Sequence, residues 1–291
     1  MKSSDPRGLD VDARTSIRLR VSNQNDYILG TDPEELQRLG FQHRVWSKDA
    51  FALWERAGLG EGQRILDLGC GPGFATFDLA DIAGVDGMVI GLDKSAGYIA
   101  SARAHAQAAG LSNVEFVVAD LSDMKFERSS FDAIYCRWAF AWINTVEQAV
   151  RRACTFLKPG GVFLSQEYLH WGTFRVIPER SEVRRVIDAC RESWRVMDSE
   201  IDIAGQLPML FRKNGFDVIH TAAISKVSRP GRMVWQWPAS FLKIYSLKLV
   251  DMGLLRSEER DAFLKVWPEV ESDEDSMLIA PLMMEIIARK A

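Results

Sequence analysis

The chain has 291 residues, 47% hydrophobic and 26% charged, with a formal net charge of −4 and an isoelectric point near 5.7. This is ordinary for a folded domain, long enough for one large α/β unit with or without a small appendage, and it gives no electrostatic case for nucleic acid as the main partner. Met1 to Leu29 has no apolar stretch ending in a cleavage site, and no segment reaches the ~20 apolar residues of a membrane span, so we expect a cytoplasmic protein without membrane attachment.

In chain order, residues 1–25 are polar without a sustained period and read as a loosely held arm. Asp32-Pro33-Glu34-Glu35 is a helix start, with an N-cap, proline at the first helical position and acids in the first turn. A further helix is expected over His43 to Ala57, where Trp46, Ala50, Leu53, Trp54 and Ala57 share one face. From Arg64 short apolar runs alternate with helical patterns. Strands are expected at Ile65–Leu68, Met88–Leu92, Val114–Val118, Ala133–Tyr135 and Val162–Ser165, and helices near Ala75–Ile82, Ala96–Ala109 and Val146–Leu157. Near-continuous apolar strands separated by helices predict a mostly parallel sheet covered on both faces.

Beyond the fifth strand the rhythm breaks. A long amphipathic helix is expected over Glu179 to Met197 and another over Ile203 to Asn214, stopped by Gly215. Phe216 to Val227 and Met277 to Ala288 read as strands. Between them lies an insert, Arg229 to Ser276, with two helices and the aromatics Trp235, Trp237, Phe241, Tyr245, Phe263 and Trp267. Most of these should form the insert's own core, as should most of Trp171, Phe174 and Trp194, while some face a pocket.

The sharpest local signal is Leu66-Asp67-Leu68-Gly69-Cys70-Gly71-Pro72-Gly73-Phe74, a glycine-rich turn between the first strand and its helix. Such a turn lets a ligand approach the backbone. The dinucleotide pattern G-x-G-x-x-G would need a glycine where Phe74 stands, and Pro72 removes an N–H that a phosphate would want. Asp67 would repel a pyrophosphate but suits an ammonium or sulfonium. Asp93 ends the next strand about twenty residues on, the spacing at which an acid takes ribose hydroxyls. Asp120, followed by Leu121, ends the third strand, where adenine would meet an acceptor and an apolar face. Any one of these acids is most simply a cap or a loop residue. At the carboxyl ends of three successive strands they outline one crevice, and its chemistry favours S-adenosylmethionine over a nicotinamide dinucleotide.

On these residues, Arg64 to Glu167 resembles the core of class I (Rossmann-like) S-adenosylmethionine-dependent methyltransferases of the bacterial small-molecule type. Phe131-Asp132-Ala133 and Leu157-Lys158-Pro159-Gly160-Gly161 match the pattern around that family's fourth and fifth strands. The resemblance implies a doubly wound, mostly parallel seven-stranded sheet. It implies that Gly69, Gly71 and Gly73 lie against the methionine part of the cofactor, with its amino group on Asp67. It further implies ribose on Asp93, adenine near Lys94, Asp120 and Leu121, and Arg137 lining the site with its backbone. Tyr27, in a lead-in similar to that of many such proteins, would close over the methionine end.

The expected organisation is an arm with helices over residues 1–58 and a methyltransferase domain over 59–291, capped at about 178–200 and 229–276. Candidate general bases are Glu167 and His170, just past the fifth strand, with His43 behind them; a structural role is the plainer alternative for each. The cysteines Cys70, Cys136, Cys154 and Cys190 are widely spaced without a C-x-x-C pair, so neither metal nor disulfides are expected. The acceptor should be a small, apolar or aromatic molecule, and the oligomeric state is open. Other readings are a nicotinamide-dependent oxidoreductase and an inactive S-adenosylmethionine-binding protein.

Overall fold

The computed structural model describes residues 33–291. Tyr27 and the polar arm lie outside the described residues.

Helix α1 (Pro33–Ala57) runs unbroken through both expected helical segments. Gly40 does not interrupt it, because its missing side chain is filled by a neighbour: a Cβ there would lie 3.0 Å from the Phe74 ring. The α1 face predicted from the sequence is the buried one, with Trp46, Ala50, Leu53 and Trp54 wholly inaccessible. Trp54 packs edge-on against Tyr135, tying α1 to the sheet.

Strands β1 (Arg64–Leu68), β2 (Met88–Asp93), β3 (Val114–Val118), β4 (Phe131–Arg137) and β5 (Leu157–His170) are parallel. They alternate with α2 (Phe74–Ala83), α3 (Ala96–Ala109) and α4 (Val146–Phe156). Two later strands, β7 (Phe216–Ile224) and β10 (Leu282–Lys290), complete a seven-stranded sheet in the order β3-β2-β1-β4-β5-β10-β7, with β10 antiparallel to both neighbours. The chain winds outward from β1 to β3 and then crosses back to β4. The crevice at the carboxyl ends of β1 and β4 is therefore the topological switch point where such sheets bind ligands.

Three expected elements are each divided in the structure, two of them at prolines. The helix expected over Ile203 to Asn214 divides into a short 3-10 turn at Ile203–Gly205 and α6 (Leu207–Lys213), with Pro208 in the first turn of α6, where no backbone donor is needed. The closing strand is interrupted at Pro281, which cannot donate to a ladder, giving β9 (Met277–Ile279) and β10. Phe216 to Val227 likewise splits into β7 and β8 (Val227–Ser228), which belong to different sheets.

The small sheet, β6 (Arg175–Ile177), β9 and β8, is antiparallel and carries helices α5 (Ser181–Val196), α7 (Met233–Asp251) and α8 (Ser257–Ser272). These elements form a cap over the crevice. Trp194, Trp235, Tyr245, Phe263 and Trp267 are buried together inside it. Helix α1 joins cap and sheet through Trp46, which packs edge-on against Trp138 and Trp237, and through an ion pair of Asp49 with Lys226 at 2.5 Å.

Truncating Trp54 to alanine removes the inaccessible indole between α1 and β4, and should lower unfolding free energy by about 3–5 kcal/mol. Urea titration followed by circular dichroism measures this.

Candidate active site

A deep cleft of about 1290 Å³, including the solvent at its mouth, opens above β1, β2, β4 and β5.

One end is built by the turn after β1. Gly69 and Gly71 line it in left-handed conformations, with φ of 68° and 54°. A Cβ at Gly69 would overlap the Cβ of Ala139, whereas one at Gly71 would meet nothing within 4 Å. Gly69 is thus required by packing, and the backbone of Gly71 borders open space. Gly73 caps α2 with φ 86° but faces away from the cleft, where a side chain would strike Phe116.

Two carboxylates frame this turn. Asp67 is buried and accepts a 2.7 Å hydrogen bond from the Thr76 hydroxyl. Burial pushes its pKa up to about 6, against the lowering effects of Thr76 and the Arg137 guanidinium. Asp93 accepts from the backbone N–H of Gly71 at 2.9 Å and of Ser95 at 2.8 Å, so it holds the turn as well as facing the cleft. Burial raises its pKa, and these two N–H donors offset part of the shift. Lys94 and Leu121 line the same end. Asp120 does not line it: its carboxylate accepts from the N–H and hydroxyl of Ser122 and stays exposed, capping its own turn.

Arg137 lines the cleft and donates to His43 Nδ1 at 2.9 Å, while His43 Nε2 meets Asp78 at 2.7 Å. With Nδ1 accepting, the ring proton sits on Nε2. His43, the weakest candidate base from the sequence, is therefore the histidine that the fold brings to the cleft. Arg38, a little more than one turn earlier on α1, and the adjacent Gln42 join it there. The helical period that places Trp46 and Ala50 on the buried face is the signal that puts His43 there too.

Neither Glu167 nor His170 reaches the cleft. His170 points outward at the end of β5, with its side chain 55% exposed and Asp202 3.7 Å away. Glu167 is fully buried behind the turn after β4, where one oxygen, Oε1, accepts from the N–H groups of Ala139 at 3.0 Å and Phe140 at 3.1 Å. Burial lifts its pKa to about 8, with these donors pulling the other way. Glu167, expected just past the fifth strand, lies within it, and the strand's alternation turns it away from the cleft.

The other end of the cleft is aromatic. Trp138, Trp142, Tyr168, Trp171, Phe174 and Phe241 line it, with Trp237 and Pro238 from α7. Of the insert's aromatics, Trp237 and Phe241 face the cleft and the others form the cap core. Trp138 has a left-handed backbone, φ 56°, a conformation that costs a bulky residue about 1–3 kcal/mol and persists only where its surroundings enforce it.

A glycine-rich strand-to-helix turn at the switch point, two carboxylates beside it and this strand order define a class I methyltransferase fold. Residues 59–194 match the family model described as a methyltransferase domain, a similarity over just under half of the chain. It is 30% identical over 188 residues to a sterol 24-C-methyltransferase of Aspergillus fumigatus, covering 64% of this chain and 48% of that one. A ubiquinone/menaquinone biosynthesis C-methyltransferase of Brucella canis is 34% identical over 127 residues, 43% of this chain and 47% of the relative. The chain thus spans about half the length of the curated relatives it matches. Among solved structures, the 4+2 cyclase SpnF superposes with a TM-score of 0.55 at 22% identity, over 84% of this chain and 80% of that one, a likeness of fold.

Because folded Glu167 keeps its proton up to about pH 8, whereas an unfolded glutamate loses it near 4.5, stability should fall as pH rises between these values. Asp67 adds to the slope only below about pH 6. Between pH 6 and 8 the expected loss approaches about 1.4 kcal/mol per pH unit, and Glu167→Gln should flatten it. Thermal unfolding across that range provides the measurement.

Proposed function

We propose that this chain is an S-adenosylmethionine-dependent methyltransferase acting on oxygen, nitrogen or carbon of a small apolar or aromatic acceptor. The observation that carries the reading is the pairing, in one cleft, of a carboxylate-framed glycine turn with an aromatic chamber. The turn offers two acids and open space over Gly71, and Pro72 withholds a phosphate-binding donor. That donor set fits a cationic nucleoside and disfavours a dinucleotide. S-adenosylmethionine supplies an electrophilic methyl group on sulfur, and S-adenosylhomocysteine is the product.

In this reading Asp67 holds the amino group and Asp93 the ribose hydroxyls, while Lys94 and Leu121 border the adenine. Arg137 and the backbone of Gly69 and Gly71 line the methionine end. Asp120 and Gly73 act indirectly, by shaping their turns, and Tyr27 keeps the role the family resemblance gives it. Catalysis rests mainly on alignment and on exclusion of water by the aromatic chamber. Glu167 and His170, set back from the cleft, are read as supporting residues, and His43, with one ring nitrogen on Arg137 and the other on Asp78, is read as orienting the Arg137 guanidinium at the cleft.

Among the described residues the aromatic chamber carries no charged side chain of its own, which supports an apolar acceptor. The names of the relatives, sterol and quinone C-methyltransferases, agree with that class. Among the described residues no helix is long and apolar enough to cross a membrane, and the four cysteines are unpaired; both fit the cytoplasmic setting we infer.

Calorimetry should show S-adenosylmethionine binding in the wild type and a loss of at least roughly tenfold in Asp93→Ala, a substitution that removes the ribose acceptor and the Gly71 anchor together. Tight binding of a nicotinamide dinucleotide, with none of S-adenosylmethionine, would sink the assignment.

A further inference from the structure

The residue after β4 stands where the two ends of the cleft meet. On one side the Arg137 guanidinium lies 5.1 Å from the centre of the Trp138 ring. On the other, that ring stacks with Tyr168 at 6.0 Å and with Trp237 at 5.7 Å. Its indole N–H is directed at the Met283 sulfur, 3.1 Å away, and its backbone N–H at the Gln166 carbonyl, 3.3 Å away. The indole is thus the partition between the polar end, with Arg137 and His43, and the aromatic chamber.

Nothing in the Trp138 side chain itself favours a left-handed backbone. The two residues after it in the chain hold it there. Their N–H groups, of Ala139 and Phe140, converge on the buried Oε1 of Glu167. Behind them Ala139 is packed against Gly69, the position where a side chain cannot be accommodated. Glu167 has no route to the cleft, so its effect on a ligand must pass through this turn. Its second oxygen has no hydrogen-bond partner among the described residues. The burial that lifts its pKa leaves Oε1 to serve as a neutral acid's carbonyl, the acceptor that a glutamine would also present.

We propose that Trp138 is the specificity-determining residue of the acceptor chamber, setting how long an apolar ligand it admits, and that Glu167 is the positioning residue that fixes Trp138 through the Ala139 and Phe140 N–H groups. This deepens the reading of the aromatic end as the acceptor site and rests on it.

The test uses the full chain and a homologous series of neutral alkyl phenyl ketones, from acetophenone to octanophenone, as probes in calorimetry without cofactor. The readout is the ratio of affinities for the longest and shortest ketone. Trp138→Ala should raise that ratio roughly tenfold by admitting further methylenes. Glu167→Ala should raise it in the same direction, Glu167→Gln should restore the wild-type ratio, and the double variant should match Trp138→Ala alone. Should Glu167→Ala fail to fold, Glu167→Met, which fills the space without accepting a hydrogen bond, takes its place. An unchanged ratio in Trp138→Ala overturns the specificity role. Additive effects in the double variant, or a Gln variant as altered as the Ala variant, overturn the positioning role. A parallel titration with S-adenosylhomocysteine separates this from the cofactor reading. If that ligand does not bind while the ketone ratios shift as stated, methyl transfer is wrong and the partition stands.

Discussion

The close approach of two backbone turns, one after β1 and one after β4, is the constraint on which the rest of the cleft depends. Gly69 and Ala139 meet with no room for a side chain at position 69. That contact presses the β4 turn onto the glycine turn, buries Asp67 beneath it and leaves Trp138 leaning into the cleft. The turn's exposed amide groups need an acceptor, and a buried carboxyl from the neighbouring strand supplies one. A single steric fact at the switch point thereby sets the positions of a binding acid, a lining tryptophan and a hidden glutamic acid.

The cleft that results is electrically divided. Its polar end concentrates Asp67, Asp93, Arg137 and the His43–Asp78 pair, all tied into hydrogen bonds or fields that fix their orientation. Its apolar end offers ring faces and little else. A charged cofactor and an uncharged acceptor would each find a matching environment, and contact between them would occur where water is scarce and electrostatic forces act over longer range. The fold alone does not assign a reaction, since the same architecture occurs in a protein named as a cyclase. The composition of the turn and of the chamber narrows it.

Much of this is legible in the chain because the relevant signals are local. Alternating strands and helices, the glycine turn, Asp67 and Asp93 are all read over a few residues, and they stand where expected. Gly73, at the start of α2, and Asp120, just past β3, stand where the pattern puts them, yet which way each faces depends on turn geometry that a one-dimensional pattern does not carry. Glu167 shows the same limit: a position one residue along a strand reverses the face it serves. The helical period of α1 puts His43 on its buried face, but that this face, with Arg38 and Gln42, borders the cleft follows from how an upstream helix packs across the sheet, a tertiary fact. The aromatic insert is recognisable as a cap, and its division into core and lining residues comes from packing of α7 against Trp46 and Trp138.

The cap itself is stitched from separate lengths of chain. Its little sheet joins β6, which lies just past β5, to β8 and β9, which flank the two long helices. Strand β9 is the central one, and it is the last of the three to be made. A structure assembled in this way is not a removable cassette. Grafting the helical insert alone from one such chain to another would carry two of the sheet's junctions but leave β6 and α5 behind, mismatched to the new core. Changes in what the chamber accepts are therefore more readily reached by single substitutions along its walls than by exchange of whole segments.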